Sequence, residues 1–321
     1  MNLIELGVAI FLFSVTTTVG LTYYHRQTFP LKIQDKHKQV LTINPTSGGL
    51  VVIIVVLISF GIIEYFVHQI FIVGMIGVTV LYTLFGLIDD AFTIKKQKYM
   101  MVIPLILTFP MVVNLALLLH FQNGNHLPEE YPGFLPDIGL LYPLIVVPVY
   151  IMVVANLLNM HASYNGLSTG LTILLVSGLL FKSYQTGNEK LILLNLAFLG
   201  ALLGFFVFNR YPSTVFEGNC GTFAFGGLIG VIIIVGGFII SGIIMLIPHI
   251  INFLMYIYLL LNKEKYITKK FAEVRKDNVI VPPHPLKLKW TFHCYYRLTE
   301  KQGIIIMYLF SVPFVVLGAL Y

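Results

Sequence analysis

Two adjacent acids, Asp89 and Asp90, close the apolar run 81–88 and are followed by three lysines in segment 95–98. Adjacent carboxylates repel one another unless a cation or an ammonium group compensates their charge. One interpretation is a pair of acids at a helix end that these lysines neutralise. The other is a site for Mg²⁺ and a phosphate, because Mg²⁺ is bound by one or two carboxylates together with phosphate oxygens.

Three asparagines form a second group of chemically capable residues. Asn156, Asn159 and Asn165 start inside one apolar stretch and end where the next begins. A side-chain amide has one acceptor oxygen and two N–H groups, and it is costly to bury without partners. Asn156 and Asn159 are three residues apart and share a helix face. They either cap the end of that helix or point into a polar cavity, where amides can bind a metal or a base.

The polar segment 209–223 is the third candidate, and it leads into a glycine-rich apolar run. A loop that enters a helix through Gly-Asn-x-Gly-Thr presents free N–H groups and the positive end of the helix dipole, which suits an anion. The glycines can equally serve the close packing of helices in a membrane. Cys220 and Cys294 are far apart in sequence and indicate neither a disulfide framework nor a zinc site.

The composition indicates what kind of structure positions these residues. Of the 321 residues, 57% are apolar and only 11% are charged, with a mean hydropathy of +0.87. Soluble chains carry about 25% charged residues, so an ordinary soluble protein, a disordered chain and a coiled coil are excluded. The apolar runs are continuous, which favours helices over the alternating strands of a barrel. We therefore predict an all-α, polytopic membrane protein.

Ten apolar windows, each close to the length of about 20 residues that a membrane helix needs, predict ten spans in a single transmembrane domain, 1–321. The second and third are hardest to separate, because Glu64 and His68 allow a tight hairpin or one long irregular stretch, so eight or nine spans stay open. The first lacks the features of a cleaved signal peptide. The predicted bounds are 3–23, 46–66, 68–89, 99–120, 139–157, 166–183, 190–208, 219–240, 242–261 and 303–321.

The distribution of lysine and arginine predicts the orientation of these spans. Alternate loops carry 18 of the 20 basic residues; these loops are 24–45, 90–98, 158–165, 209–218 and 262–302. Positive charge gathers on the cytoplasmic side, so these loops are predicted to be cytoplasmic and both termini extracytoplasmic. All three polar groups then lie on the cytoplasmic face. Segment 262–302 is predicted as a long basic cytoplasmic loop, and a plain interpretation is solvated contact with anionic lipid.

Five segments, in this order along the chain, resemble the polyprenyl-phosphate N-acetylhexosamine-1-phosphate transferase family of the glycosyltransferase 4 type. The similarity covers nearly the whole chain and is greatest to the archaeal and eukaryotic branch that includes dolichyl-phosphate GlcNAc-1-phosphate transferase. The segments are Pro45-Thr46-Ser47-Gly48-Gly49, Gly86-Leu87-Ile88-Asp89-Asp90, Asn156 to Asn159 with Tyr164-Asn165-Gly166, Phe208 to Phe216, and Leu298-Thr299-Glu300-Lys301.

The resemblance implies that a polyprenyl or dolichyl phosphate attacks the β-phosphorus of a UDP-sugar, giving sugar-diphospho-lipid and UMP. UDP-GlcNAc is the sugar donor that this branch favours, and the product would initiate an N-glycan or a related surface glycan. By the same resemblance, Asp89 and Asp90 organise the lipid phosphate and its attacking oxygen. Mg²⁺ is the implied cofactor, with Asn159 and Asn219 as its ligands.

The resemblance also implies residues that bind the substrates. Asn165 would recognise uracil, and Phe216 would stack on it. Lys98 is the best match to a basic residue of the family near the phosphates, Arg275 is the candidate for the sugar phosphate, and Asn156 is placed with the substrate-binding amides. The implied partners are a UDP-sugar, the lipid phosphate and membrane lipid, without nucleic acid, and a homodimer is left open.

One departure from the family pattern concerns residue 219. The family has an aspartate in G-D-x-G-[ST], and this chain has Asn219. An amide offers a neutral oxygen, so Mg²⁺ binding is expected to weaken. This leaves three readings open: an enzyme that needs high Mg²⁺, one in which Glu217 compensates, or a catalytically silent homologue acting as a membrane subunit. An ion-coupled transporter is a distant alternative, because the acids cluster at helix ends and not near the midplane.

Overall fold

The computed structural model contains twelve helices and two short hairpins in the residues that it describes. These residues are 3–35, 38, 42–92, 97–122, 128, 130–131, 136, 138–162, 164–262 and 272–321. The side chains of 97–102 are not among the described parts. The helices are α1 (Leu3–Thr28), α2 (Gly49–Val67), α3 (Ile70–Phe92), α4 (Gln97–Gln122), α5 (Val147–His161), α6 (Leu167–Gln185), α7 (Glu189–Asn209), α8 (Gly218–Gly236), α9 (Ile239–Met245), α10 (Ile247–Leu261), α11 (Leu288–Tyr295) and α12 (Glu300–Leu320). The strands β1 (Lys32–Gln34) and β2 (Ile43–Pro45) pair antiparallel, as do β3 (Glu273–Val274) and β4 (Ile280–Val281).

The helices of the described residues confirm the predicted all-α membrane fold. Nine of them are long and apolar enough to cross a bilayer, with α5 extended at its start by the π-helical turn Tyr142–Val146. The pair α9 and α10 passes the same test together but is bent by 64°, which brings the number to ten if the pair counts as one span.

The predicted ninth span, 242–261, is a single helix in sequence and a broken one in the structure. Helix α8 ends at Gly236, before the predicted residue 240, because Gly237 adopts a left-handed φ of 71°. The chain then breaks again between α9 and α10. Pro248 lies in the first turn of α10, where its missing N–H is tolerated. In the middle of a continuous helix the same proline would remove a hydrogen bond and clash with the preceding turn. The predicted ninth span therefore corresponds to the bent pair α9 and α10 and not to one straight helix.

The boundary between the second and third spans is a tight hairpin. His68 caps α2 with a φ of 51°, and its N–H donates to the Glu64 carbonyl across 2.8 Å. The next N–H, that of Gln69, donates to Glu64 Oε2, also at 2.8 Å. These two bonds satisfy the end of α2 and reverse the chain, which excludes one long irregular stretch at this place.

Helix α8 is the centre of the bundle, since 83% of its most apolar window is buried, the highest share among the candidate spans. It packs mainly against α3 and α5. A Cβ atom at Gly226 would lie 2.6 Å from Ala155 Cα, and one at Gly227 would lie 2.6 Å from the ring of Tyr82. These glycines therefore permit the close helix packing that their pattern predicted.

The sides of the helix bundle are apolar, whereas one of its ends is polar. Large apolar side chains such as Leu12, Phe92, Leu254 and Leu309 are exposed along the outside of the helices, where lipid would cover them. Many polar side chains gather at the end of the bundle where α1, α3, α5 and α7 finish and α2, α6, α8 and α12 begin. Hydrogen bonds connect these helix ends, and the predicted cytoplasmic loops all leave from them.

Candidate functional site

The start of α2 and the start of α8 are joined by backbone hydrogen bonds. Phe216 N–H donates to the Pro45 carbonyl at 2.9 Å, and Gly48 N–H returns a bond to the Phe216 carbonyl at 2.8 Å. Gly49 N–H continues the ladder to the Glu217 carbonyl at 2.9 Å. A side chain at Gly49 would collide with the backbone of α8. Two segments that are far apart in the sequence are thereby held in backbone contact.

Asp90 closes this junction with three hydrogen bonds. Its Oδ2 accepts from Ser47 Oγ at 2.7 Å and from Cys220 N–H at 3.2 Å, and its Oδ1 accepts from Asn219 N–H at 2.7 Å. Ser47 has a positive φ of 58°. This conformation is uncommon for a residue with a side chain. Both oxygens of Asp90 are thus directed at the first turn of α8 and the start of α2, so this carboxylate fixes the three helices relative to one another.

The second aspartate leads to a chain of side-chain amides. Asn219 Nδ2 donates to Asp89 Oδ2 at 2.6 Å, and Asn219 Oδ1 accepts from Asn159 Nδ2 at 3.0 Å. Asn159 Nδ2 also donates to Thr222 Oγ1 at 2.8 Å. The structure therefore brings four of the residues predicted for the reaction centre, Asp89, Asp90, Asn159 and Asn219, to one place.

The donors of this cluster suit a hard cation. Mg²⁺ prefers oxygen ligands and commonly takes one or two carboxylates plus substrate phosphate oxygens. Asp89 and Asp90 supply the carboxylates, and the amide oxygens of Asn159 and Asn219 are further candidates. Within the described residues, no three His, Cys, Asp or Glu side chains are grouped to hold a metal by themselves. The set therefore fits a cation that the substrate phosphates help to bind, with less negative charge than three carboxylates would supply.

Asn165 belongs to a second polar cluster at the same end of the bundle. It contacts Asp35 beyond β1 and Glu300 at the start of α12, and Lys38 pairs with both carboxylates. Gly166 packs directly against the backbone of Arg210, so this cluster adjoins the segment that leads to Phe216. The sequence singled out Asn165 as a substrate-binding residue and gave no such role to Asp35 or Lys38. Their only local signal was an acid and a lysine three residues apart in a polar loop.

A buried lysine contacts Tyr164, the residue next to Asn165 of this second cluster. Lys289 of α11 is 5% exposed, and its ammonium lies 4.6 Å from the centroid of the Tyr164 ring, a cation–π contact. Burial and the charge of Lys287 hold the pKa of Lys289 well below its usual range. In the part of the chain that the structure describes, no carboxylate is within ion-pair distance of it. Nothing in the sequence distinguished this lysine from the others of the basic loop.

The remaining predicted substrate residues lie differently. Asn156 is buried, and its amide donates to the carbonyl of Met152 in its own helix at 2.9 Å. Phe216 is half-buried in the α2–α8 junction. Arg275 lines a separate cavity of about 320 Å³ between the β3–β4 hairpin and α11, and the side chain of Lys98 lies outside the described residues. Their roles toward substrate stay predictions.

Glu217, suggested as a compensating acid for Asn219, is engaged elsewhere. Its Oε2 accepts from Asn209 Nδ2 at 2.8 Å, and Asn209 also donates to the Val215 carbonyl at 2.9 Å. Burial raises the pKa of the Glu217 carboxyl. These contacts show Glu217 bracing the loop before α8, while compensation for the missing aspartate stays a prediction.

Comparison with known proteins points to one family. Residues 72–237, which include both aspartates and all of α8, match the profile described as glycosyl transferase family 4. A protein of Saccharolobus solfataricus, named provisionally as a UDP-N-acetylglucosamine–dolichyl-phosphate N-acetylglucosaminephosphotransferase, is 30% identical over 178 residues, 53% of this chain and 51% of the relative.

Bacterial relatives are similar at the same level. The phospho-N-acetylmuramoyl-pentapeptide-transferase of Clostridioides difficile is 30% identical over 193 residues, 58% of each chain. The enzyme of that name from Streptococcus pneumoniae is 26% identical over 245 residues, 71% of this chain and 72% of the relative. The chain spans about half the length of the first of these curated relatives, the archaeal protein, and somewhat more of the bacterial ones.

Proposed function

This chain belongs to glycosyl transferase family 4 and is an integral, multi-pass membrane protein, and from this we propose that it transfers a sugar-1-phosphate from a UDP-sugar to a polyprenyl phosphate. An oxygen of the lipid phosphate forms a bond to the β-phosphorus of the UDP-sugar. The bond from that phosphorus to the bridging oxygen breaks, and UMP leaves with the bonding electron pair. The products are sugar-diphospho-lipid and UMP.

The observation that supports this proposal is the assembly of Asp89, Asp90, Asn159 and Asn219 from three helices at one end of the bundle. Phosphoryl transfer depends on positioning and on neutralising charge more than on covalent participation of the protein. A cluster of oxygen donors at the end of apolar helices can meet a lipid phosphate from the membrane and a nucleotide from the aqueous side.

Each residue of the cluster has a distinct part in the proposed reaction. Asp90 holds α2, α3 and α8 in place relative to one another. Both of its oxygens accept hydrogen bonds, and two of the three donors are backbone N–H groups. Asp89 accepts instead from the side-chain amide of Asn219, which can rotate away and make room for the substrate phosphates and their cation. Bound Mg²⁺ would neutralise the diphosphate and polarise the β-phosphorus. Asn159 and Asn219 orient one another and would add neutral oxygen ligands.

GlcNAc-1-phosphate is the sugar phosphate we propose, and dolichyl phosphate or another polyprenyl phosphate its acceptor. The support is the archaeal relative's name together with the Asn159 and Asn165 pattern of that branch. A second candidate is a silent homologue that retains the fold. It is favoured by one observation, the hydrogen bond by which Asn219 satisfies Asp89 without a cation.

The test is Mg²⁺-dependent release of UMP by the purified protein in detergent, supplied with a polyprenyl phosphate. UDP-GlcNAc, UDP-GalNAc and UDP-MurNAc-pentapeptide are compared as donors. We expect turnover with UDP-GlcNAc, its loss in Asp90→Asn, and its retention in Asp277→Asn, an exposed acid of the β3–β4 hairpin. Turnover only with the pentapeptide donor would overturn the sugar assignment. Turnover only after Asn219→Asp would establish the silent homologue.

A further inference from the structure

Two carboxylates hold the side-chain amide of Asn165. Its Nδ2 donates to Asp35 Oδ2 at 2.9 Å and to Glu300 Oε1 at 2.8 Å. The backbone N–H of Asn165 also donates to Glu300 Oε1, at 2.8 Å. All three residues are at least nine-tenths buried, and they come from three segments far apart in sequence. The amide is therefore fixed by tertiary contacts and not by its own loop.

The chemistry of these partners determines which way the amide faces. An ionised carboxylate only accepts hydrogen bonds, whereas an amide offers donors on nitrogen and an acceptor on oxygen. A rotation of the Asn165 amide by 180° would place its oxygen next to the carboxylates of Asp35 and Glu300. All three groups are hydrogen-bond acceptors, so no hydrogen bond could form. Both N–H groups of Nδ2 therefore point at the carboxylates, and Oδ1 points away from them.

Lys38 lies beside both of these carboxylates. Its Nζ lies 3.1 Å from Glu300 Oε2 and 3.9 Å from Asp35 Oδ2. The same ammonium lies 3.8 Å from the centroid of the Tyr211 ring. Lys38 thus places a positive charge beside both carboxylates and connects them to the segment that ends at Phe216.

The side-chain oxygen of Asn165 requires a hydrogen-bond donor. Asn165 Oδ1 is buried and has no hydrogen-bond partner among the described residues. Buried acceptors of this kind are normally paired, so a ligand that supplies an N–H donor would satisfy it. A ligand that presents a lone pair at the same position would be repelled.

We propose, on the basis of the transferase function above, that Asp35 and Glu300 are positioning residues that make Asn165 selective for uracil over cytosine. Uracil carries an N–H at ring position 3, which Asn165 Oδ1 can accept. Cytosine has a lone pair at that position, so its binding leaves two acceptors facing each other. Sites built to hydrogen-bond one group reject the analogue that lacks it strongly, and we expect a preference of about 100-fold or more.

The experiment measures binding of UMP and of CMP to the full-length protein in detergent by calorimetry, which requires no turnover. The natural chain is expected to prefer UMP by about 100-fold. Glu300→Gln replaces an obligate acceptor by a group that can also donate, so the Asn165 amide can turn. The preference should then fall about tenfold or more, with UMP binding weakened and CMP binding equal or tighter. Glu189→Gln is the matched control, because this exposed acid lies in the first turn of α7 at the other end of the bundle.

The possible outcomes separate this inference from the function on which it rests. Equal binding of UMP and CMP by the natural chain would overturn the inference while leaving a nucleotide site. So would a loss in Glu300→Gln that is the same for both nucleotides, because that is the effect of a purely structural residue. Absence of any nucleotide binding by the natural chain would overturn the proposed function as well. If Glu300→Gln does not fold, Asp35→Asn tests the other carboxylate with the same expected change in preference.

Discussion

The side-chain amide of Asn219 donates a hydrogen bond to the carboxylate of Asp89 across 2.6 Å, although the two residues are 130 positions apart. An aspartate at position 219 would set two carboxylates against one another and would require a cation between them. The amide removes this repulsion by itself. The replacement that looked like a missing metal ligand in the sequence is therefore also a hydrogen-bond donor to Asp89 in the structure.

This relationship predicts how the protein responds to Mg²⁺ in the absence of substrates. Asn219→Asp should lower the apparent melting temperature when Mg²⁺ is removed and raise it when Mg²⁺ is added, because a third carboxylate joins Asp89 and Asp90. The natural chain should respond weakly. Thermal unfolding in detergent with Mg²⁺ or with a chelator measures both, and turnover over the same Mg²⁺ range should show a lower requirement in the variant.

Asn188→Asp provides the control for this prediction. Asn188 caps α7 at the opposite end of the bundle, where its side chain accepts from Leu191 N–H at 3.2 Å. An aspartate caps a helix equally well, so the helix should be preserved. This variant should show no response to Mg²⁺. Equal responses of Asn188→Asp and Asn219→Asp would contradict a specific pairing between residue 219 and the two aspartates.

Ser47 tests the hydrogen bonds that hold Asp90. Removal of its hydroxyl should reduce turnover at least tenfold, because a hydrogen bond to a charged group contributes about 1.5–3 kcal/mol. Ser47→Ala and Ser47→Gly should lose similar activity. The φ of residue 47 is positive, at 58°. Ser47→Gly should therefore melt higher than Ser47→Ala, because glycine adopts such a conformation without strain. Turnover assays and thermal unfolding separate the two effects.

Ser177→Ala is the matched control for the loss of a hydroxyl. Ser177 is exposed, and its Oγ donates to the carbonyl of Ile173 in its own helix at 2.8 Å. We expect its turnover and melting temperature to stay close to those of the natural chain. Full activity in both Ser47 variants would show that Asp90 does not need this donor.

Phe216 tests the predicted stacking on the base. Its backbone holds the α2–α8 junction, and Phe216→Ala leaves these backbone bonds in place. Stacking of a base on an aromatic ring contributes about 1–3 kcal/mol. We expect KM for the UDP-sugar to rise about tenfold or more with kcat nearly unchanged, since uniform binding is lost. Steady-state kinetics are compared with Phe181→Ala, an exposed aromatic side chain far along α6. An unchanged KM would remove Phe216 from the base site.

Lys289 predicts a dependence of the stability of the fold on pH, because burial of its ammonium group destabilises the folded state. Its pKa is lowered in the folded state by burial and by Lys287, so folding disfavours the charged form. This penalty is complete below the folded pKa and disappears as the pH rises toward the ordinary lysine value of about 10.4. The natural chain should therefore gain stability over that range.

The variant Lys289→Met removes this titration while keeping a side chain of similar length. Its melting temperature should exceed that of the natural chain at neutral pH, and the difference should shrink as the pH approaches about 10. Lys190→Met, a more exposed lysine at the other end of the bundle, should show no such trend. A difference that stays constant with pH would contradict a lowered pKa for Lys289.

The sequence by itself determined the class of the protein and singled out most residues of the polar cluster that is proposed as its reaction centre. Hydropathy over about 20 residues is a local property, so the positions of most spans followed from it. The break between α9 and α10 did not, because both halves are apolar and a bend changes direction without changing composition. Likewise the pair Asp89–Asp90 is visible as neighbours, and the excess of basic residues in alternate loops needs no folding to be counted.

Only the tertiary structure decided which polar groups meet. Asn219 reaches Asp89, and Asn165 reaches Asp35 and Glu300, because helix ends distant in sequence converge at one end of the bundle. Hydrogen bonds extend over about 3 Å and depend on side-chain direction, which no spacing along one chain can specify across separate helices. The sequence therefore names residue types capable of the chemistry, and packing selects the partners that fix their orientation.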